Sequence, residues 1–274
     1  MIAWRKIQKI EFKTVSAGYY FSDGGAAMGV LPRSIWEKKI EVDSKHRIRF
    51  ELNSLLLKKN KKICLVDTGI GNKISDKIKK IYAPSDFMLI NNLKKEGIHP
   101  EEITDVIMTH LHFDHAGGIV SQFEQETKLT FPNAIYHINQ KEWETAKKPN
   151  KLNIAAYNFN DNLKLLENKG KINLISGTFQ LWNNLLIIHV GGHTDGMQIV
   201  NICDDENTIF YPADIIPTEF HLHLPVTSAY DTCRNETFRV KTAIYEDLKH
   251  KKGGIILNHD QNKIYIDKQE LGIK

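Results

Sequence analysis

The stretch THLHFDHAGG, residues 109 to 118, places His110, His112, Asp114 and His115 within six consecutive positions. Imidazoles gathered this closely repel one another once protonated, and each buried charge costs free energy to desolvate, so a folded chain needs a reason to assemble them. A bound cation is that reason. Divalent ions of the zinc type take imidazole nitrogen and carboxylate oxygen, and a catalytic site keeps one position for water. His110 and His112 sit two apart, so in an extended segment both point to one side, while Asp114 and His115 follow where the chain is expected to turn at Ala116-Gly117-Gly118. Four donors from one loop fit poorly around a single ion. They suit two adjacent ions, each completed by residues from elsewhere.

The second half of the chain offers such residues, each at the end of an apolar run. His193 follows LLIIHV (185 to 190), Asp214 follows TIFYP, and His259 follows the strand-like GIIL. The HxHxDH pattern alone arises by chance roughly once in a thousand chains of this composition, before the other three donors are counted. The segments that must position them read as follows. Strands are expected at 7 to 15, 47 to 57 and 62 to 69, and helices at 72 to 83, where Ile74, Ile78 and Ile81 recur at helical spacing, and at 87 to 96, closed by Gly97. A buried strand at 103 to 110 runs into the histidine cluster, which places the cluster in a loop at a strand end. A strand at 134 to 138 and polar helical segments around 139 to 169 lead to a second strand-rich half: INLI, TFQLW, LLIIHVG, MQIVNIC and TIFYPAD. A helix from Glu236 to about His250 and a final strand, GIILNH, complete the reading. Two strand-rich halves, each followed by helices, predict two sheets packed face to face with helices outside.

Composition sets the outer bounds. The chain has 274 residues, 41% hydrophobic and 26% charged, which is ordinary globular usage and fits one domain over 1 to 274, since no repeat or linker divides it. The formal charge of +4 is spread over several lysine-rich faces, which argues against nucleic acid as a partner. The N-terminus alternates apolar and charged residues and lacks the apolar run of a signal peptide, and no segment reaches the length of a membrane span. Cys64, Cys203 and Cys233 are odd in number and widely spaced, which favours reduced thiols in the cytoplasm over a disulfide framework.

With these residues in view, the chain resembles the metallo-β-lactamase-fold hydrolases over essentially its full length. HLHFDH, GGHTDG, the Ala213-Asp214 pair and NHD carry the resemblance, and LVDTG resembles the family's first motif. DGGAAMGVLPRSIWEK and ADIIPTEFHLHLPVTSAYD resemble a branch that includes lactonases and organophosphate hydrolases. The resemblance implies an α/β, four-layer αββα sandwich of two mixed sheets with a two-metal site along one edge. It implies that His110, His112 and His193 hold the first ion, that Asp114, His115 and His259 hold the second, and that Asp214 bridges them. The ions are expected to be zinc, with iron or manganese fitting the same donors. Two neighbouring cations lower the pKa of a shared water, giving a hydroxide nucleophile, and polarise the oxygen under attack. Asp114 is then placed to orient that nucleophile and shuttle its proton. Asp67 either supports the metal loop or merely caps the Asp-Thr-Gly turn.

The chain departs from the branch at Asp195 and Gln261, where prolines are common, and at His223. Pro217 stands where lactonases of this fold often carry a tyrosine, three positions after the bridging aspartate. A hydrogen-bond donor is then expected from Tyr230 or His221. His221, taken here as a catalytic candidate, otherwise reads as a solvated loop residue, and His189 and His223 read as structural. Tyr19, Tyr20 and Phe21 with Met28 read as an apolar lid or as packing. The reaction expected is hydrolysis of a small-molecule ester, lactone, amide or phosphoester. A thioester hydrolase of glyoxalase II type, a nuclease or phosphodiesterase of the same fold, and a metal-holding module without turnover are the alternatives. The oligomeric state, a homodimer included, is left open.

Overall fold

The computed structural model describes residues 2–157 and 162–273. Its strands, in chain order, are β1 (Arg5–Ile7), β2 (Ile10–Asp23), β3 (Arg47–Lys59), β4 (Lys62–Val66), β5 (Asp105–Ile107), β6 (Val120–Phe123), β7 (Glu126–Leu129), β8 (Ile135–Asn139), β9 (Ile172–Ile175), β10 (Thr178–Trp182), β11 (Leu185–His189), β12 (Gln198–Cys203), β13 (Asn207–Tyr211), β14 (Lys252–Ile256) and β15 (Tyr265–Asp267). One sheet has the order β1-β2-β3-β4-β5-β8-β9, the other β10-β11-β12-β13-β14-β15, and β6 and β7 form a separate hairpin. Both sheets are mixed. In the first, β1 to β4 pair antiparallel, whereas β4, β5, β8 and β9 run parallel. Parallel neighbours need long crossovers, and helices supply them. Asp76–Tyr82 and Leu89–Lys95 lie between β4 and β5, and Gln140–Lys147 and Lys164–Asn168 lie between β8 and β9. In the second sheet the helix Arg234–His250 makes the one parallel crossover, from β13 to β14.

Strand alternation builds two cores from one sheet. Leu55 and Leu57 of β3 and Cys64 and Val66 of β4 face the second sheet and join a cluster with Ile187, Ile199, Ile209 and Ile255. Leu56 and Leu65, one residue out of phase, face the other way and pack with Leu89, Leu93, Val106, Tyr136 and Trp143. The last helix contributes Val240, Ile244 and Leu248 to the core of the second sheet. The layers are therefore helices, sheet, sheet and helix, the architecture the sequence reading anticipates.

Several elements differ from that reading. INLI, grouped above with the second strand-rich half, is β9 and pairs parallel with β8 in the first sheet, because the helical crossover returns the chain to the sheet it left. The first long strand continues to Asp23 across a register shift between Ser16 and Tyr19, where Gly18 adopts φ 124°. The helix expected at 72 to 83 starts only after Ser75, whose side chain caps it. The strand expected at 103 to 110 is confined to β5, and β15 follows the strand read as final. Within the polar segment 139 to 169, residues 158–161 lie outside the described residues. Among the described residues no helix is long and apolar enough to cross a membrane.

Candidate metal centre

The histidine segment leaves β5 extended as far as His112 (φ −63°, ψ 154°) and then turns in a short helix, Phe113–Ala116. The turn thus begins ahead of the glycines, and Gly117 and Gly118 have another task. A Cβ on Gly117 would lie 2.1 Å from the Ile70 carbonyl oxygen, and one on Gly118 would lie 2.2 Å from that of Thr68. Their bare backbones let the loop press against the Asp67-Thr68-Gly69 turn, where the Thr68 amide and hydroxyl both donate to the His115 carbonyl at 2.8 Å. Asp67 holds φ 59°, a backbone region costly for a residue with a side chain. Its carboxylate accepts from the Thr109 amide at 2.9 Å and lies 2.9 Å from His115 Nδ1.

These contacts assign the imidazole tautomers. An ionised carboxylate only accepts, so His115 donates from Nδ1 to Asp67, and His193 donates from Nδ1 to Asp231 Oδ1 at 2.9 Å. His259 donates from Nδ1 to the Glu51 carbonyl at 2.6 Å. The Thr109 hydroxyl donates to Asp67, so its lone pair accepts from His110 Nδ1 at 3.1 Å. With Nδ1 so engaged, the four rings turn Nε2 inward, and the Nε2 atoms of His110, His115 and His259 are buried with no hydrogen-bond partner.

All seven candidate donors come together. They fall into two groups, His110, His112 and His193, then Asp114, His115, Asp214 and His259, with the donor atoms of each group within 4.8 Å of one another. His193 Nε2 stands 3.1 Å from His112 Nδ1. Asp214 faces both groups, its Oδ1 lying 3.1 Å from His115 Nε2 and 3.2 Å from His259 Nε2, and its Oδ2 lying 3.5 Å from His193 Nε2. The preceding Ala213 holds φ 44°, so the backbone accepts strain where it delivers this carboxylate. Donors of nitrogen and oxygen with no thiolate, in two open clusters, fit a pair of divalent cations.

Electrostatics distinguish the rings. Burial drives His110 and His112 well below the ordinary histidine range, helped by the neighbouring imidazoles. For His115 burial acts in the same direction, but Asp214, Asp114 and Asp67 together outweigh it and raise the ring well above that range. His193 is raised as Asp214 and Asp231 overcome burial. Asp214 is held well below the usual carboxylate range by His115, His259 and His193, against its burial.

Three further side chains support the donors without joining either group. The Tyr20 hydroxyl donates to Asp114 Oδ2 at 2.8 Å, and its ring meets those of Phe50, Tyr82, Phe113 and His259 edge to face at 5.8 to 6.1 Å. Tyr19 and Phe21 take the opposite face of the strand, with Arg49 stacked 3.9 Å from the Tyr19 ring. Asp231 is fixed by the pairing of the Thr232 and Cys233 amides with the His193 and Gly192 carbonyls. Glu142 receives hydrogen bonds from Leu111, Tyr157 and Thr194.

His221 is buried instead of solvated. One ring nitrogen lies 2.8 Å from Thr218 Oγ1 and the other 3.1 Å from the Ala27 carbonyl, and burial together with Lys241 lowers its pKa to about 4. The Tyr230 hydroxyl pairs with Ser22 Oγ at 3.1 Å, and His189 Nε2 lies 2.8 Å from the Asp195 carbonyl. A surface hollow of about 1250 Å³, lined by Lys94, Phe123 and Lys169 among others, contains none of the seven donors.

Comparison with known proteins gives a consistent picture. The family model described as "Metallo-beta-lactamase superfamily" matches residues 48–251. A probable metal-dependent hydrolase from Staphylococcus aureus superposes with a TM-score of 0.88 at 26% identity, covering 97% of this chain and 95% of that one. A dizinc quorum-quenching lactonase in complex with an N-acyl homoserine product superposes with a TM-score of 0.75 at 22% identity, covering 96% and 92%. An N-acyl homoserine lactonase of Bacillus sp is 29% identical over 110 residues, 40% of this chain, so the chain spans 37% of the length of that relative.

Proposed function

Because the chain belongs to the metallo-beta-lactamase superfamily, we propose that it is a dinuclear metal-dependent hydrolase, its ions zinc, cleaving an ester or lactone bond of a small molecule. The observation that carries the proposal is the division of seven donors into two groups joined by the two oxygens of Asp214. Bound there, a pair of divalent cations supplies Lewis acidity, activating water near neutral pH and polarising the oxygen under attack. The protein does the rest. Asp114 takes the proton of the attacking water and delivers it to the leaving oxygen, and Tyr20 fixes Asp114 by bonding its Oδ2. The rings of Tyr20, Tyr82 and Phe113 make an aromatic wall beside this carboxylate, suited to an uncharged substrate. His221 acts by strapping the loop after Asp214 to the helix Gly24–Met28 through the Ala27 carbonyl.

The lactonase names among the relatives support ester or lactone bonds over amides and phosphoesters. We read 1–274 as one domain, since the inter-sheet cluster draws on both halves of the sequence, and as cytoplasmic, in keeping with three free cysteines. The test is metal content together with hydrolysis of an N-acyl homoserine lactone, an aryl ester and a phosphotriester. The wild type should turn over the first or second, and His112→Ala and Asp114→Ala should each lose more than about 100-fold, beyond the loss typical of an outer partner. Equal turnover in wild type and both variants would remove the proposal.

A further inference from the structure

Glu142 is 1% exposed, lies in the helix Gln140–Lys147, and belongs to neither donor group. A carboxylate is rarely buried this deeply without a task, because desolvating it is costly unless several donors meet it. Here three do. Oε1 accepts from the Leu111 amide at 2.9 Å and the Tyr157 hydroxyl at 2.9 Å, and Oε2 accepts from the Thr194 hydroxyl at 2.7 Å. Leu111 is the residue between His110 and His112, and Thr194 is the residue after His193. Tyr157 lies with its ring 5.0 Å from that of His112 and forms an isolated bridge to it. One carboxylate therefore grips both chain segments that deliver the three-histidine group, together with a ring packed on one of its members.

A second observation, independent of these hydrogen bonds, points to the same junction. A Cβ on Gly196 would fall 2.3 Å from the Glu142 amide nitrogen and 2.5 Å from its Cα. The loop carrying His193 is thus seated directly on the first turn of the helix, and glycine is what allows the approach.

We propose that Glu142 is a positioning residue that sets the separation between the His110–His112 segment and the His193 loop, and so the affinity of the three-histidine group for its ion, without touching the ion. The proposal rests on the metal-centre reading above. Because each of its bonds goes to a backbone or hydroxyl donor adjacent to a ligand, Glu142 acts on spacing, whereas Asp231 acts on the orientation of a single ring. Acceptor geometry should matter more than charge. In Glu142→Gln the side-chain oxygen still accepts from Leu111 and Tyr157, and the amide can donate to the Thr194 hydroxyl, which is free to reverse its role.

The experiment titrates Zn²⁺ against a chromophoric chelator in full-length protein carrying His259→Ala, which disables the second group so that the three-histidine group is read alone. Glu142→Leu should weaken this site about 10- to 100-fold, the range for losing an outer-shell partner, and Glu142→Gln should restore it to within about threefold. Thr194→Val and Tyr157→Phe, which each remove one donor, should give smaller losses in the same direction and serve if Glu142→Leu does not fold. Unchanged zinc affinity in the variants, with or without a fall in melting temperature, would make Glu142 merely structural and overturn the proposal. A loss in Glu142→Gln equal to that in Glu142→Leu would overturn it also, by showing that charge is what counts. Wild-type protein that takes up no zinc would instead overturn the reading of the centre itself, and the proposal with it.

Discussion

The two donor groups lie side by side yet are built on opposite plans. The first is all imidazole; burial and the neighbouring rings depress His110 and His112, and a hydrogen bond joins His193 Nε2 and His112 Nδ1 at 3.1 Å. Its carboxylate partners all lie outside it, Asp231 on His193 and Glu142 on the loops. The second mixes two carboxylates with two imidazoles, and its own charges raise His115 and depress Asp214. It is held by internal ion pairing. A cation at the first group would meet His110 and His112, two rings whose protonation burial disfavours. A cation entering the second must displace the proton of His115.

The substitution expected to matter most erases the distinction. Asp214→Ala removes the carboxylate that faces both groups, so metal content should fall at both and turnover should drop by well over about 100-fold. Retention of two ions per chain by mass spectrometry would show that the groups are independent. Next in size, Asp67→Asn disturbs only one group directly through His115, and about 10- to 100-fold loss of affinity should appear at the second ion while the first is held more nearly as in wild type. Tyr20→Phe should follow with a smaller loss, about tenfold in kcat with little change in KM, because the phenol orients Asp114 and does not ligate. An equal rise in KM would place Tyr20 among substrate contacts.

The smallest effect separates the groups by pH in chelator-treated protein. His115 keeps its proton above the unfolded histidine value of about 6.5, so its stabilisation is full below that pH and is lost as pH rises through the raised folded value. His110 runs the other way. Its folded value is depressed, so its cost appears as pH falls below about 6.5, where the unfolded chain gains a proton that the folded chain refuses. Thermal melts should therefore show His110→Gln flattening the acid side and His115→Gln flattening the alkaline side, each by no more than about 1.4 kcal/mol per pH unit.

The seven donors were legible because each follows a strand, and a strand end is marked in sequence by an apolar run meeting a polar residue. The same grammar found most of the strands and the layer order. What it could not find were partners defined only across space. Glu142 lies in a polar helix and looks like any solvent-facing glutamate, since nothing near it in sequence records that Leu111, Tyr157 and Thr194 converge on it. INLI lies in the first sheet and not with the later strands it resembles for a related reason, since a strand's composition says that it is buried but not beside which neighbour. His221 follows the pattern as well, because its alternation with His223 marks a loop while its two ring contacts, Thr218 and Ala27, are fixed by the fold.

β2 is one continuous beam. It carries Phe12 into the layer between the sheets and Tyr20 to the edge of Asp114, and it is laced to β3 on both sides of its bulge. Tyr20, the member of the aromatic wall that β2 carries, is consequently not on a flap that can lift by itself. The β2 amides laddered to β3 should therefore exchange with solvent as slowly as those of the interior.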